Sequence, residues 1–461
     1  MSLHTVDDPY TGEVATSLEE TSASELDAVL ARARSASRVL RRMSVPERVR
    51  LVLDACARME ARTEEIAQDI TRQMGKPLEQ ARGEVAGMAG RLKHMAAIAE
   101  ASLADVTLEP RAGFERRIVK EPLGVVLDLP AWNYPLLTAV NAIAPAVLAG
   151  NAVVVKHSPR SPLCGEHFAR AFREAGAPEG AVQAIFLDYA RTEALVADRR
   201  IDHVLFTGSV HGGHQIQRAA SERFLHVGLE LGGNDPAYVA EDCDFEQAVA
   251  NIVDGAMYNA GQSCCAVERV YVHASLHARF VDAVEPLVRA YVLGDPRSER
   301  TTMGPIAQPW HPAQLQGFVD DAVAKGARVV AGGKARQVEG RGRFFEPTVL
   351  SDVSPEAWLM DAEAFGPLLP IASVASDEEA LARMNDSQLG LTASVWTQDL
   401  ERAEHMARQL EAGTVYMNRC DALDPALPWS GVKDSGRGVT LSALGFDALT
   451  RPKALHFRLR W

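Results

Sequence analysis

The chain has 461 residues, 47% of them hydrophobic and 24% charged, enough to build the cores of two or three domains of a globular protein. Its 61 acidic and 48 basic side chains give a formal charge of −13, which argues against nucleic acid or an anionic membrane as a principal partner. Six cysteines are too few for a disulfide scaffold, and neither a signal peptide nor an unbroken apolar span is visible, so a cytoplasmic protein is expected.

From Glu20 to about Leu103 the chain reads as several helices, rich in Ala, Leu, Arg and Glu at helical spacing. Met74-Gly75-Lys76-Pro77 interrupts them and marks a helix end. The polar, alternating stretch Val106–Glu121 reads as a projecting hairpin that buries little by itself. From Gly124 the rhythm becomes strand, turn, helix, with VVLDLP, NAVVVKHS, AVQAIFL, HVLFTGS and FLHVGLELGG as strands. Such alternation predicts a parallel sheet covered on both faces. A second alternation runs from near Pro236 to about Asn418, with VERVYVH, ARVVAGG, LTASVWT and AGTVYMN as strands. The fold class expected is therefore α/β, with two such domains and a site in the cleft between them. The tail RPKALHFRLRW is a short strand whose unpaired edge invites another element or subunit.

The stretch GQSCCAVERVYV places Cys264 beside Cys265. Adjacent cysteines point apart and no CxxC or His cluster supports them, which argues against a zinc half-site. A vicinal disulfide needs strained geometry and an oxidising setting. Buried packing residues and a nucleophile with a neighbour both remain open. Elsewhere, Glu230 ends a strand before two glycines in LELGGN, a geometry that exposes a side chain into a cleft. Asn133 lies in PAWNYP, where Trp132 and Pro135 pin a loop that opens a helix. Lys156 ends AVVVKHS, and Phe206-Thr207-Gly208-Ser209 ends another strand before a helix. Strand ends leading into helix starts suit nucleotides and phosphates, although no GxGxxG fingerprint is present.

In order along the chain stand MGKP, PAWNYP, AVVVKHSP, FTGS, LELGG, GQSCC, EAFGP, GTVYMN, PWSGVKDSGRG and GFDALTRPKALHF. This ordered set resembles the NAD(P)-dependent aldehyde dehydrogenase superfamily over nearly the whole chain. The resemblance implies two Rossmann-like α/β domains plus a bridging hairpin. It divides the chain into a nucleotide-binding domain (1–103 and 123–231), a catalytic domain (232–425) and an oligomerisation segment (104–122 and 448–461). A homodimer or homotetramer is implied, with no metal.

The Gly-Gln-any-Cys pattern of that family selects Cys264 as the nucleophile and leaves Cys265 as its neighbour. Glu230 matches the general base and Asn133 the oxyanion-stabilising amide. The implied reaction oxidises an aldehyde to its acid through a Cys264 thiohemiacetal and thioester. Lys156 resembles the lysine at the adenosine ribose. Gly208 and Ser209 resemble the turn beside the pyrophosphate, with Phe206 and Thr207 in the same cofactor-binding set and His211–Gly213 opening the following helix, and Glu363 and Phe365 resemble the residues at the nicotinamide ribose and ring. Leu129, Pro130, Ala131, Trp132 and Leu231 line the same cleft. Ala131 departs from the family's usual proline. Pro159 stands where NAD-preferring members often carry a glutamate, and Arg160 either attracts a 2′-phosphate or faces solvent. NAD is the expected cofactor, with NADP open.

By their places in the motifs, Tyr134, Thr138, Asn141, Ser263, Cys265, Arg419 and Cys420 approach the substrate. Arg419 can pair with a substrate carboxylate or with another element. The compact length and MGKP…QARGEV also resemble short semialdehyde dehydrogenases, which suggests a succinate-semialdehyde-type substrate. Two alternatives are a CoA-acylating enzyme, against which Glu230 argues, and a non-catalytic NAD(P)-binding homologue, against which the retained trio argues.

Overall fold

The computed structural model describes residues 3–460. Four helices, Ala23–Leu40, Val45–Glu60, Thr63–Met74 and Leu78–Ser102, fill the early region. The first two start at capping boxes, Ser22 with Glu25 and Ser44 with Glu47, which satisfy otherwise orphaned backbone groups. The third stops at Gly75, whose φ of 86° lies in the left-handed region that glycine tolerates best.

Five parallel strands follow, and a short antiparallel one completes a six-stranded sheet. Its order is Gly436–Arg437, His226–Glu230, His203–Thr207, Val125–Leu129, Ala152–Val155, Val182–Ala184. The chain runs outward from Val125–Leu129 in one direction, then resumes beside it at His203–Thr207. That reversal is a topological switch point, where open α/β sheets bind ligands beyond the strand ends. Leu129–Asn133 and Thr207–Ser209 leave the sheet there. Val125, Val126, Leu127, Val153, Val154 and Val204 are fully buried in the first hydrophobic core.

A seven-stranded sheet forms the second half. It is ordered Arg328–Ala331, Thr348–Ser351, Leu368–Val374, Val267–His273, Asp235–Val239, Thr392–Trp396, Thr414–Met417, parallel except for its first strand. Three of these, Asp235–Val239, Thr348–Ser351 and Leu368–Val374, join the four strands expected from sequence. Tyr238, Val270, Leu350, Ile371 and Trp396 anchor its own core.

The tail strand Thr450–Arg458 finds a partner within the chain. It pairs antiparallel with Phe114–Pro122 along its full nine residues. Val106–Thr107 adds only a short third strand, so the expected hairpin is the smaller part of this sheet.

Sequence reading missed the hairpin Leu3–Asp7 and Val14–Glu19. Its Asp7 carboxylate receives both Arg160, from the six-stranded side, and Arg343, from the seven-stranded side. Burial pushes the Asp7 pKa up, but the hydrogen bonds from Arg343 and Arg160 outweigh it and bring it down to about 2. Arg343 also donates to the carbonyls of Ile306 (2.9 Å) and Ala307 (2.6 Å). The Ala307 N–H in turn donates to the Gln262 side chain at 2.9 Å. The hairpin is thereby tied to the loop that carries Cys264.

Candidate active site

The cysteine pair lies ahead of the strand Val267–His273 rather than after one. Before it the backbone takes three consecutive positive φ angles, 53° at Asn259, 56° at Ala260 and 67° at Gly261. Such conformations persist only where the surroundings enforce them. Here Asn259 Nδ2 donates to the carbonyls of Gln262 (3.0 Å) and Asn133 (3.2 Å). A Cβ at Gly261 would lie 2.2 Å from the Gly366 carbonyl oxygen, so only glycine allows the GQSCC and EAFGP loops to meet.

A cavity of about 280 Å³ opens in front of these loops. Cys264, Cys265, Ser263, Glu230, Leu231 and Thr207 line it, with Tyr134, Thr138 and Asn141 from the segment after PAWN. The structure thus gathers most of the expected substrate-side residues and the carboxylate of LELGG around the cysteine pair. The two thiols differ. Cys265 is buried and donates to the Asp421 carboxylate at 3.0 Å, whereas Cys264 is half-buried. Contact with Cys264, together with burial, pushes the Cys265 thiol well above its ordinary range.

Glu230 lines the cavity and is half-buried. It accepts hydrogen bonds from Thr207 (3.2 Å) and from Thr440, a residue of the C-terminal loop that sequence reading missed. Burial raises its pKa, and the bonds from Thr440 and Thr207 and the charge of Arg91 only partly oppose that rise. A carboxylate tuned in this way suits proton transfer near neutral pH. Asn133 is buried against the GQSCC loop, and its Nδ2 donates to the Gln262 carbonyl at 3.2 Å.

At the switch point, Pro130 accepts the Ser158 N–H (3.2 Å) and Leu129 is buried at its strand end. Ala131, in place of proline, accepts the Thr138 hydroxyl at 3.3 Å. Phe206 lies against Gly208 and Gly212, where an added Cβ would come within 2.5 and 2.7 Å of its ring. Ser209 caps the helix Val210–Ala220 through the Gly212 N–H, and Gly213 leaves room for Leu231. Trp132 meets Phe365 edge-on with ring centroids 5.5 Å apart.

Phe365 holds a φ of 55°, fixed by Glu268, whose carboxylate accepts the N–H groups of Ala364 and Phe365 at 2.8 Å each. Glu268, four residues past Cys264, is a further residue that sequence reading passed over. Glu363 turns back so far that a Cβ on Gly232 would meet its carboxylate at 2.3 Å. Burial, with the nearby Glu268 charge, pushes the Glu363 pKa well up. Lys156 is buried with its ammonium 5.5 Å from the centre of the Tyr189 ring, and burial lowers its pKa to about 8.

Three expectations need correction. Arg419 is exposed and Cys420 lies outside the cavity. Positive φ angles at Asn418 (56°) and Asp421 (43°) turn this loop so that Cys420 donates to the Asn251 carbonyl at 3.3 Å. Asp421 faces the cavity instead, accepting from Cys265 and from the Ser263 hydroxyl at 3.1 Å. Burial raises Asp421 to about 7, against the hydrogen bonds from Cys265 and Ser263. Arg160 neither faces solvent nor is free for a phosphate, because it is buried in its ion pair with Asp7. The carbonyl of its neighbour Pro159 accepts His4 Nε2 at 2.9 Å.

The cation that does line the cavity is Arg91, on the helix Leu78–Ser102. Its Nη1 donates to the Leu137 carbonyl and to Asn141 Oδ1, both at 3.1 Å. Arg91 stands three residues after Met88 and one before Leu92, beside the buried stripe Met88–Leu92–Met95. Among the described residues no cluster of three or more His, Cys, Asp or Glu could hold a metal ion.

A family model described as the aldehyde dehydrogenase family matches residues 2–455. An aldehyde dehydrogenase of Paenarthrobacter nicotinovorans is 38% identical over 99% of both chains. A succinate-semialdehyde dehydrogenase [NADP(+)] of Deinococcus radiodurans is 36% identical, covering 96% of this chain and 93% of that one. The solved structure of an NAD-dependent aldehyde dehydrogenase from Sinorhizobium meliloti superposes with a TM-score of 0.96 at 32% identity, over 99% of this chain and 92% of that one.

Proposed function

The chain belongs to the aldehyde dehydrogenase family, and from that premise we propose that it oxidises a small, carboxylated aldehyde with NAD(P)+ at Cys264. The observation that carries this reading is the convergence of Cys264, Glu230 and Arg91 on one small cavity. At about 280 Å³ it lies below the range of about 300–1,000 Å³ usual for drug-sized ligands. A semialdehyde of a few carbons suits it better than a long fatty aldehyde.

The Cys264 thiolate attacks the aldehyde carbon. Asn133 spends one of its two amide N–H groups on Gln262, which leaves the other, with the Cys264 backbone N–H, for the developing oxyanion. Lys156, Gly208–Ser209, Glu363 and Phe365 would hold NAD(P)+, which would supply the hydride acceptor for the thiohemiacetal on Cys264. Glu230 then takes a proton from the water that attacks the resulting Cys264 thioester, and the acid departs.

The cofactor residues fit this role. Among the described residues Lys156 has no carboxylate at ion-pair distance, and Glu363 Oε1 is buried without a hydrogen-bond partner. Both groups are thus available to ribose hydroxyls, beside Trp132 and Phe365 for the nicotinamide and Gly208–Ser209 for the pyrophosphate. Arg160 is spent on Asp7 and no carboxylate stands at Pro159, so tolerance of a 2′-phosphate rests on Lys156.

Arg91, rather than the exposed Arg419, is the cation placed to meet a substrate carboxylate. Its Nε and Nη2 make no hydrogen bond to described residues, leaving two donors for a substrate carboxylate. The long outer edge of Thr450–Arg458 supports a homo-oligomer, a dimer or tetramer, and six free cysteines suit a cytoplasmic setting.

The test is kcat/KM for succinic semialdehyde, propanal and 4-aminobutanal, with NAD+ and NADP+ in parallel. A preference for succinic semialdehyde that Arg91→Ala reduces by about 10–10²-fold is expected, the loss of a charge-assisted bond. Equal rates for all three, or preference for the cationic aldehyde, would contradict the substrate assignment.

A further inference from the structure

The MGKP turn buries a lysine completely. Lys76 ion-pairs with Glu84, and neither side chain is more than 1% exposed. Burying such a pair is costly, because each charge must be stripped of water. The turn is wedged between the two halves of the molecule. Leu78 N–H donates to the Pro296 carbonyl at 2.8 Å, and a Cβ on Gly304 would lie 2.0 Å from the Gly75 carbonyl oxygen.

The other oxygen of Glu84 has a different use. It accepts the N–H groups of Leu136 (2.8 Å) and Leu137 (3.4 Å), in the first turn of helix Pro135–Ala149. Pro135 has no N–H, and Tyr134, at the cap position, makes no side-chain cap bond. Glu84 therefore supplies from another helix the acceptor that a local Ser or Asp would normally provide. Its negative charge also meets the positive end of the helix dipole. The Lys76 ammonium lies 3.9 Å from the centre of the Tyr134 ring, so the pair grips both the helix start and the residue before it. Asn133 immediately precedes Tyr134, and its carbonyl accepts a hydrogen bond from Asn259 Nδ2 at 3.2 Å.

We propose that Glu84, held by Lys76, is a positioning residue that sets the oxyanion amide of Asn133 against the aldehyde oxygen of a substrate bound at Cys264. This inference rests on the oxyanion role assigned to Asn133 above. Glu84 acts through the helix start and touches no reacting atom. In Glu84→Gln the amide still offers an oxygen, but its N–H groups oppose the Lys76 ammonium and the helix start shifts. A displacement near 1 Å at a reacting centre costs about 10²-fold in rate.

The experiment is a double-mutant cycle on kcat/KM between Glu84→Gln and Asn133→Ala, with cofactor binding followed by fluorescence as a check on the fold. Asn133→Ala alone should slow the enzyme about 10²–10³-fold. Glu84→Gln should cost about 10²-fold in the native background and under about 3-fold beside Asn133→Ala. If Glu84→Gln fails to fold, Lys76→Met/Glu84→Leu removes both buried charges and the acceptor at the helix start, and the same non-additivity is expected of it. Full additivity in either version, with Asn133→Ala slow, would overturn the positioning role alone. A wild-type rate for Asn133→Ala would overturn the oxyanion assignment and the positioning role with it.

Discussion

Replacing Glu230 by Gln separates the two halves of the proposed reaction. The substitution keeps the shape of the side chain and an oxygen for Thr207 and Thr440, but removes the only proton acceptor they hold. Acylation of Cys264 and hydride loss do not use Glu230, whereas hydrolysis of the thioester does. General-base catalysis is typically worth about 10²–10⁴-fold, or about 3–5 kcal/mol of barrier. Steady-state kcat should fall by that amount. Stopped-flow absorbance at the reduced-nicotinamide band should still show a rapid burst approaching one equivalent per active site. The pH dependence has a defined sign. Burial raises the Glu230 pKa, so wild-type kcat should rise with pH as that carboxyl ionises, and the Gln variant should lack this limb. Loss of the burst together with the steady state would refute the reasoning, because the carboxylate would then serve the acylation step.

Three further predictions concern the frame of the site. Gly261→Ala forces a side chain into φ +67° and against the Gly366 carbonyl, so denaturant unfolding should report a loss of at least about 1–2 kcal/mol. Lys156 is charged below its pKa of about 8, so the cofactor Kd from fluorescence titration should rise between pH 7 and pH 9. Lys156→Met should bind weakly at both values. Asp7→Asn should lower stability by an amount that shrinks as pH drops below the ordinary 3.8, since the Asp7 contribution is lost as the pH falls toward about 2. A constant gap across that window would show that Asp7 acts by packing alone.

Much of this was legible in the sequence because it is local. Strand Val125–Leu129 is entirely buried, and a short run of apolar residues ending in PAWN says so without context. The FTGS turn and the LELGG carboxylate declared themselves by strand ends, glycines and cap chemistry, whereas the cysteine pair stayed open locally and only the family motif singled out Cys264. What stayed hidden depends on contacts far apart in the chain. Arg91 reads as one more helical arginine until its helix packs on Pro135–Ala149 and turns it into the cavity. Arg419 reads as a site residue until the positive φ angles around it present Asp421 instead. Arg160 looked open to a phosphate because nothing near it in sequence names Asp7, 153 positions away. Glu268 and Thr440 are similar cases, each fixing a site residue through bonds no local motif encodes.

The central claim is that Cys264, not its neighbour, forms the covalent intermediate. Cys265 is buried against Asp421 with its thiol held protonated, which leaves Cys264 as the thiol able to react. The most direct measurement is mass spectrometry of the acyl-enzyme that Glu230→Gln accumulates with aldehyde and NAD(P)+. Peptide fragmentation should place the acyl group on Cys264, in wild-type sequence and in Cys265→Ala alike. An adduct on Cys265, or one that survives Cys264→Ala, would contradict the account.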